Sequence, residues 1–599
     1  MRYRPFSQYL QVRSASGVTF AADGRTIAFL TDITGVPQVW SVPVAGGWPH
    51  QRTFSTERVA GAYHAPVGDR LLFEMDTGGD ERLRFYLLED AGTRLTAITD
   101  APGVIHQFGG WSPDGRRIVY AANGRQSAFF DVYTRDLAED RPVCVVRDDG
   151  MNQAGPWSPD GRAVLVTRVR TTMHHRIFSV NLESGAQQSL TDPAREARYM
   201  APGWAADGSA VYVLSDRDQD TLALARISVA DGSLQWLRVS EWDFTQLKVS
   251  ADGQRLALVE NVEGYTTLHV LLVESQEAIS LPDLPRGVIL NLAWAPDGEA
   301  LAASMASGAH NPDVWLVPLN GAARPITQST LAGIPPTSLV EPALVRYPTF
   351  DGRQIPAFWF QPPGAAGNAP VVVYVHGGPE SQFVPEFNPV IQYLVHRGYA
   401  VLAPNVRGST GYGKAYSRLD DIELRMDSVA DLSSAVGWLR EQAGGENRRV
   451  AVMGGSYGGF MTLSAITTYP DLWSAAISIV GIANFVSFLE QTGPWRRKLR
   501  ECEYGSLEHD RAFLERISPL HQSARITAPL MVIHGANDPR VPVGEAEQMV
   551  DALQSRGQFV EYLRFEDEGH GLVKLPNRVR AYTAVAEFLD RVMRAGAIA

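Results

Sequence analysis

The stretch RVAVMGGSYGGF, Arg449 to Phe460, sets Ser456 among four glycines, Gly454, Gly455, Gly458 and Gly459. A G-x-S-x-G pattern is weak by itself in a chain with 54 glycines among 599 residues, so its flanks must decide. RVAVMG before it is a short apolar run that suits a buried strand, and FMTLSAITTYP after it, with Phe460, Leu463 and Ile466, reads as a helix. On such a strand-to-helix bend a serine Oγ points into solvent. Its neighbours must be glycines, because a Cβ there would strike the turn or the adjoining strands. The start of the helix also leaves backbone N–H groups free for an anion forming beside the serine.

Outward from this bend the same texture continues. PVVVYV (370–375), YAVLAPN (399–405), AAISIV (475–480) and PLMVIHG (529–535) are further short apolar runs of the kind buried parallel strands carry. Between them lie helical patterns, clearest from Asp427 to Gln442, where Val429, Leu432, Val436 and Leu439 share one face. Strand and helix in alternation imply an α/β domain: a mostly parallel sheet with helices on both faces.

A serine hydroxyl needs a base at neutral pH, and on this architecture the expected order is serine, then carboxylate, then histidine. His570, in EDEGHGL, is the only histidine after residue 534 and stands between Gly569 and Gly571. Asp538, in HGANDPRVP, follows the strand PLMVIHG and so belongs at the same sheet edge. Glu566, Asp567 and Glu568 are too near His570 in sequence and are expected to line its loop; His534 precedes Asp538 and fits the order poorly. Ser456, Asp538 and His570 are therefore the expected catalytic triad. Donors for an oxyanion are expected from the amide of Tyr457 and from the loop YVHGGPES, which holds His376, Gly377, Gly378 and Pro379.

The first half is repetitive. AADGRTIAF, APVGDRLLF, WSPDGRRIVY, WSPDGRAVLV, WAADGSAVYV, VSADGQRLAL and WAPDGEALAA each place a turn glycine before an apolar strand. These glycines, Gly24, Gly68, Gly115, Gly161, Gly208, Gly253 and Gly298, recur every 44 to 47 residues. That period accommodates four short strands and their turns, one blade of a propeller. The expected organisation is a seven-bladed β-propeller over 1–325, a Pro-rich linker over 326–341 and an α/β-hydrolase domain over 342–599. His174 and His175 lie side by side in a strand and should face opposite ways, which argues against a shared metal.

A net charge of -12 argues against non-specific binding to nucleic acid or anionic membrane. The first residues lack an apolar signal core, no apolar run approaches a membrane span, and Cys144 and Cys502 lie far apart. A reduced, cytoplasmic protein is expected. No H-E-x-x-H, P-loop or dinucleotide fingerprint occurs, and the expected chemistry needs no metal or organic cofactor.

Together GGSYGG, HGGP, RGSTGYG (407–413), ANDPRVP and DEGHG, behind a propeller, make the whole chain resemble the prolyl oligopeptidase family of serine peptidases, most closely its acylaminoacyl-peptidase branch. The resemblance implies a peptidase acting on short peptides that reach a site covered by the propeller. It implies the triad above and an oxyanion hole from the amides of Tyr457 and Gly378. It further implies that Arg540 holds a substrate carbonyl, with an apolar pocket from Tyr457, Ile482, Phe485, Phe488 and Val541. The dipeptidyl-peptidase branch clamps a free amino terminus with paired glutamates; Asp80 and Glu81 in GGDERLRFY are read instead as a solvated hairpin loop. WRRKLR, with Arg496, Arg497 and Arg500, reads first as a solvated helix face and second as a partner for a terminal carboxylate. The same triad would also serve an esterase or amidase or a carboxypeptidase-like enzyme, whereas a purely scaffolding propeller would leave it without a role. Self-assembly through an edge strand near PVVVYV or a propeller face is open.

Overall fold

The computed structural model describes residues 4–594 except 90–91, 140, 365–368, 443–444 and 446. Seven antiparallel four-stranded blades follow one another from Ala15–Phe20, the first strand, to Arg324–Pro325, the last, and a single parallel pair, Phe130 with Met151, joins the third blade to the fourth. All seven repeat glycines have φ between 66° and 79°, the left-handed region a tight hairpin demands between the first two strands of each blade. The turn aspartates accept from the amide two residues on, as Asp114 does from Arg116 and Asp160 from Arg162.

The repeat tryptophans have a purpose the hairpin argument does not supply. The indoles of Trp111, Trp157, Trp204 and Trp294 donate to the carbonyls of Tyr63, Gly110, Pro156 and Lys248, each on the first strand of the preceding blade. Each contact stitches neighbouring blades and contributes about 1 kcal/mol. The ring closes without exchanging a strand: Ala15, Val18, Phe20 and Phe29 of blade one share a core with Ala302, Val314 and Leu316 of blade seven, and Asn291 Oδ1 accepts from the Val18 amide at 2.8 Å.

The second domain is an eight-stranded sheet. Its strands are β1 (Ala343–Pro348), β2 (Gln354–Phe360), β3 (Val371–Val375), β4 (Ala400–Pro404), β5 (Val450–Gly455), β6 (Ala475–Ile479), β7 (Leu530–Gly535) and β8 (Val560–Phe565), in the order β1-β2-β4-β3-β5-β6-β7-β8. Pairs β1/β2 and β2/β4 are antiparallel and the rest parallel. Since β3 lies between β4 and β5, the PVVVYV strand is interior; the expectation of a free edge there is corrected, and the edges are β1 and β8.

Side chains alternate between two cores, as a pleated strand requires. Val371, Val373, Val450 and Val452 face a core shared with α2 (Arg425–Glu441), α3 (Tyr457–Thr468) and α4 (Phe485–Gln491). Val372, Ala451 and Met453 face the other core, with α1 (Pro389–His396) and α7 (Leu575–Arg594). α5 (Pro494–Tyr504) and α6 (Gly544–Gln554) complete the elements that shape the site. Val429, Leu432, Val436 and Leu439 of α2 are all fully buried. Phe6 and Tyr9, assigned by sequence to the propeller, pack instead on the catalytic domain: the Phe6 ring stacks on Tyr393 at 4.3 Å, and the Tyr9 ring meets Tyr393 edge-on at 5.5 Å.

Candidate active site

β5 leads directly into α3 through Ser456, whose φ of 58° and ψ of -120° are outside the regions open to ordinary residues. Such a conformation costs about 1–3 kcal/mol and persists only where the surroundings enforce it. The glycines are the means. A Cβ on Gly454 would sit 2.3 Å from the Gly458 carbonyl oxygen, one on Gly458 2.2 Å from that of Val375, and one on Gly459 2.5 Å from the Gly481 Cα. The helix thus begins at Tyr457, three residues before the apolar pattern alone indicates.

Asp538 follows β7 and His570 follows β8, so both loops emerge at the carboxyl edge that carries Ser456. His570 Nδ1 donates to Asp538 Oδ2 at 2.7 Å. Asp538 Oδ1 accepts from the amides of Arg540 (2.8 Å) and Val541 (3.0 Å). Burial drives the Asp538 pKa upward, but His534, 3.5 Å away, and His570 pull it down by more, holding the carboxyl well below the usual carboxylate range. It is an anion at any pH the protein meets in solution near neutrality, and it fixes the imidazole with Nε2 outward. The Ser456 hydroxyl makes no hydrogen bond to His570 in this structure.

The histidine loop is braced from within. Glu568, almost fully buried, accepts from the amides of Val573 and Lys574, each at 3.0 Å, and from Asn577 at 2.9 Å. Asp567 pairs with Lys574, and Glu566 with Arg564, so these carboxylates do organise the loop and its base rather than the imidazole.

On the oxyanion side, a Cβ on Gly377 would lie 3.4 Å from the Ser456 Cβ, which puts the HGGP loop against the serine. Gly378 has a φ of 135°, and its carbonyl receives the Tyr504 hydroxyl at 3.5 Å. His376 holds this loop to its neighbour through Ser409 Oγ, 2.9 Å from Nε2. The Tyr457 amide opens α3, where no intrahelical acceptor exists. The Tyr457 hydroxyl is anchored far from it by Asp420 (2.9 Å), Ser428 (2.9 Å) and Arg425 (3.1 Å). Burial raises the Asp420 carboxyl to about 6 against the pull of Arg425 and Tyr457.

Tyr457, Ile482, Phe485, Phe488 and Val541, expected to form an apolar pocket, are all buried in the core on one face of the sheet. Three of them pack around Tyr504, whose ring centre lies 6.3 Å from that of Tyr457, 4.9 Å from that of Phe485 and 6.0 Å from that of Phe488. Tyr504, with buried Glu503 beside it, escaped the sequence reading because neither belongs to a motif. Burial pushes the Glu503 carboxyl well above its ordinary range; Arg500 opposes this and Glu380, hydrogen-bonded to it, adds to it.

The hairpin read as solvated is not. Gly79, in the propeller's second blade, packs so closely that a Cβ on it would meet the Gly569 amide nitrogen at 2.7 Å. Asn537 donates to the Gly78 carbonyl at 3.3 Å, and Arg540 Nε pairs with both oxygens of Glu81 at 2.7 and 2.9 Å. The propeller thus touches the loops of both Asp538 and His570, and Arg540, expected to be free for a substrate carbonyl, carries an ion pair. His175 lines a different cavity, of about 500 Å³, between the propeller and the catalytic domain, and among the described residues no group of side chains could hold a metal.

Comparison with known proteins agrees with this architecture. The Prolyl oligopeptidase family matches residues 385–596, and the TolB beta propeller domain matches residues 109–324. Dipeptidyl aminopeptidase BIII of Pseudoxanthomonas mexicana is 27% identical over 96% of this chain and 86% of its own length. The acylamino-acid-releasing enzyme of Mus musculus is 32% identical over 34% of this chain and 29% of its own. A puromycin-hydrolyzing peptidase of Mycobacterium tuberculosis has the same fold, with a TM-score of 0.86 at 23% identity over 99% of this chain and 97% of that one. The chain therefore carries a C-terminal domain of the prolyl oligopeptidase family of serine peptidases, preceded by a TolB-type propeller, in the order expected.

Proposed function

We propose that the protein hydrolyses short peptides from a free amino terminus, through an acyl-enzyme on Ser456. Ser456 Oγ attacks the carbonyl carbon while its proton passes to His570 Nε2, and the amides of Tyr457 and Gly378 receive the oxyanion. His570 gives that proton to the leaving amine as the C–N bond breaks. Water, deprotonated by the same nitrogen, then attacks the ester, and as the acyl C–Oγ bond breaks His570 returns that proton to Ser456 Oγ, freeing the acid. Asp538 stays ionised throughout and stabilises the imidazolium. Forming the Ser456–His570 hydrogen bond is the step that substrate binding must supply, as apo sites commonly require.

The observation that carries this reading is the 2.7 Å Asp538–His570 bond beside a serine held at φ 58°. Glu81 favours the free-amine form over the acylated one: its carboxylate faces the cavity next to the catalytic loops, where an α-ammonium group could take the place of Arg540 or share the anion with it. The likeness to a dipeptidyl aminopeptidase over nearly the whole chain supports the same choice.

The test compares kcat/KM on free and N-acetylated aminoacyl and dipeptidyl anilides. The free peptides should be favoured, and Glu81→Gln should erode the preference. Preferred cleavage of the acetylated series would replace this reading with an acylaminoacyl-peptidase, and preference for simple acyl esters with an esterase.

A further inference from the structure

The charges of the run Trp495–Arg500 on α5 have separate fates. Arg497 pairs with Glu501 on the exposed face at 2.9 Å, and Arg500 reaches both oxygens of buried Glu503 at 3.2 Å. Arg496 turns inward, into a cavity of about 260 Å³ between the propeller and the catalytic domain, which Arg58, Glu81, Gln107, Arg500 and Arg540 also line. Arg58 is bidentate to Asp76, and Arg540 is held by Glu81. Four guanidiniums thus line the cavity; the carboxylates of Asp76 and Glu81 pair with Arg58 and Arg540, and the Glu503 carboxyl holds Arg500. Among the described residues no carboxylate forms an ion pair with Arg496, although the Glu81 charge acts on it through space.

Burial, with repulsion from Arg500 and Arg540, lowers the Arg496 pKa to about 10, so the group remains charged at neutral pH in surroundings that disfavour the charge. A half-buried cation that lacks a carboxylate partner of its own is costly to hold until an anion joins it. Apolar walls from Leu83, Ile105 and Trp495 would strengthen that pairing by excluding water.

We propose that Arg496 is a specificity-determining residue that receives a carboxylate of the bound peptide. The inference rests on the peptidase reading and names the substrate class more closely: peptides carrying a carboxylate near the cleaved bond. Proximity to that bond follows from Arg540, which lines the same cavity and stands two residues from Asp538, and from the contact of the Glu81 hairpin with Gly569. The carboxylate can belong to an acidic side chain or to the peptide's own terminus.

Two matched pairs of substrates separate these sources: Glu-Ala-anilide against Gln-Ala-anilide, and Ala-Ala-Ala against its C-terminal amide. The carboxylate-bearing member of at least one pair should have a kcat/KM about ten- to a hundredfold higher, expressed mainly in KM, as a charge-assisted hydrogen bond would give. In Arg496→Gln that ratio should fall to near one; Arg496→Lys should keep part of it, and Arg497→Gln all of it. Because each ratio is internal to one protein sample, partial misfolding of a variant leaves it interpretable. A wild-type ratio near one for both pairs, or a preference that survives Arg496→Gln, overturns the inference while leaving the peptidase intact. Failure to cleave any of the four peptides overturns the peptidase reading and the inference with it.

Discussion

Ser456 is held in a left-handed conformation by neighbours that have no side chains to give way, and single atoms added there have calculable consequences. Gly458→Ala would force a methyl against the Val375 and His376 carbonyls, at 2.2 and 2.7 Å, which are fixed in the sheet and the oxyanion loop. This variant should lose at least 3 kcal/mol of stability or fail to fold, as measured by urea unfolding. Gly79→Ala acts differently, since its methyl would press on the backbone of the histidine loop at Gly569, next to the base, and Gly79 itself has a φ of 77°. Here kcat should fall about ten- to a hundredfold with little change in the unfolding midpoint, because a shift of about 1 Å in a catalytic group has that effect on rate. Unchanged kcat in a folded Gly79→Ala protein would show that the propeller does not position His570.

Glu545 shows how one element fixes another. It sits in the first turn of α6, almost fully buried, and its carboxylate accepts from the amides of Ala483 and Asn484 and from the Ser487 hydroxyl. It thereby caps the approach to α4 and ties down Phe485 and Phe488. Burial outweighs those donors and raises the carboxyl to about 7. Its folded pKa therefore lies above the unfolded value of about 4.5, and the folded chain holds this proton the more tightly. Its contribution is full below about pH 4.5 and is lost as pH rises towards 7. Glu545→Gln should remove that slope, so that its urea midpoint gains on the wild type between pH 5 and pH 8; parallel curves would contradict the assignment. At this scale the sequence was readable. The repeat glycines announced seven hairpins because only a positive φ fits those turns, and the valine runs announced the central strands because both faces are covered. The edge strands β1 and β8 carry mixed residues with one face less buried, and they left no comparable pattern.

Across the whole molecule several contacts hold the domains together, among them the Glu263–Arg346 ion pair and the Tyr265–Phe358 ring contact, and two further latches lie nearer the site. The second blade supplies Gly78, Gly79 and Glu81 to the catalytic loops, and the fifth blade supplies Asp220, which accepts from the amides of Lys414 and Ala415, while Glu196 pairs with Arg418. Cutting the second latch with Asp220→Ala and Glu196→Ala should raise the cleavage of a 20-residue peptide several-fold relative to a dipeptidyl anilide, if domain separation admits the longer chain. An unchanged ratio would mean that access does not depend on this contact. These contacts are also where sequence reasoning stopped. Glu81 and Arg540 are 459 positions apart, and nothing local distinguishes Glu81 from a solvated turn acid or Arg496 from its exposed neighbour Arg497. The triad was legible because its members sit in glycine-framed loops that follow strands in a fixed order. The most direct test of the central claim is covalent: treatment with a fluorophosphonate, followed by peptide mapping. The account predicts one adduct, on Ser456, that is lost in Ser456→Ala and strongly slowed in His570→Ala. An active protein whose adduct lies elsewhere, or that resists the reagent entirely, would contradict it.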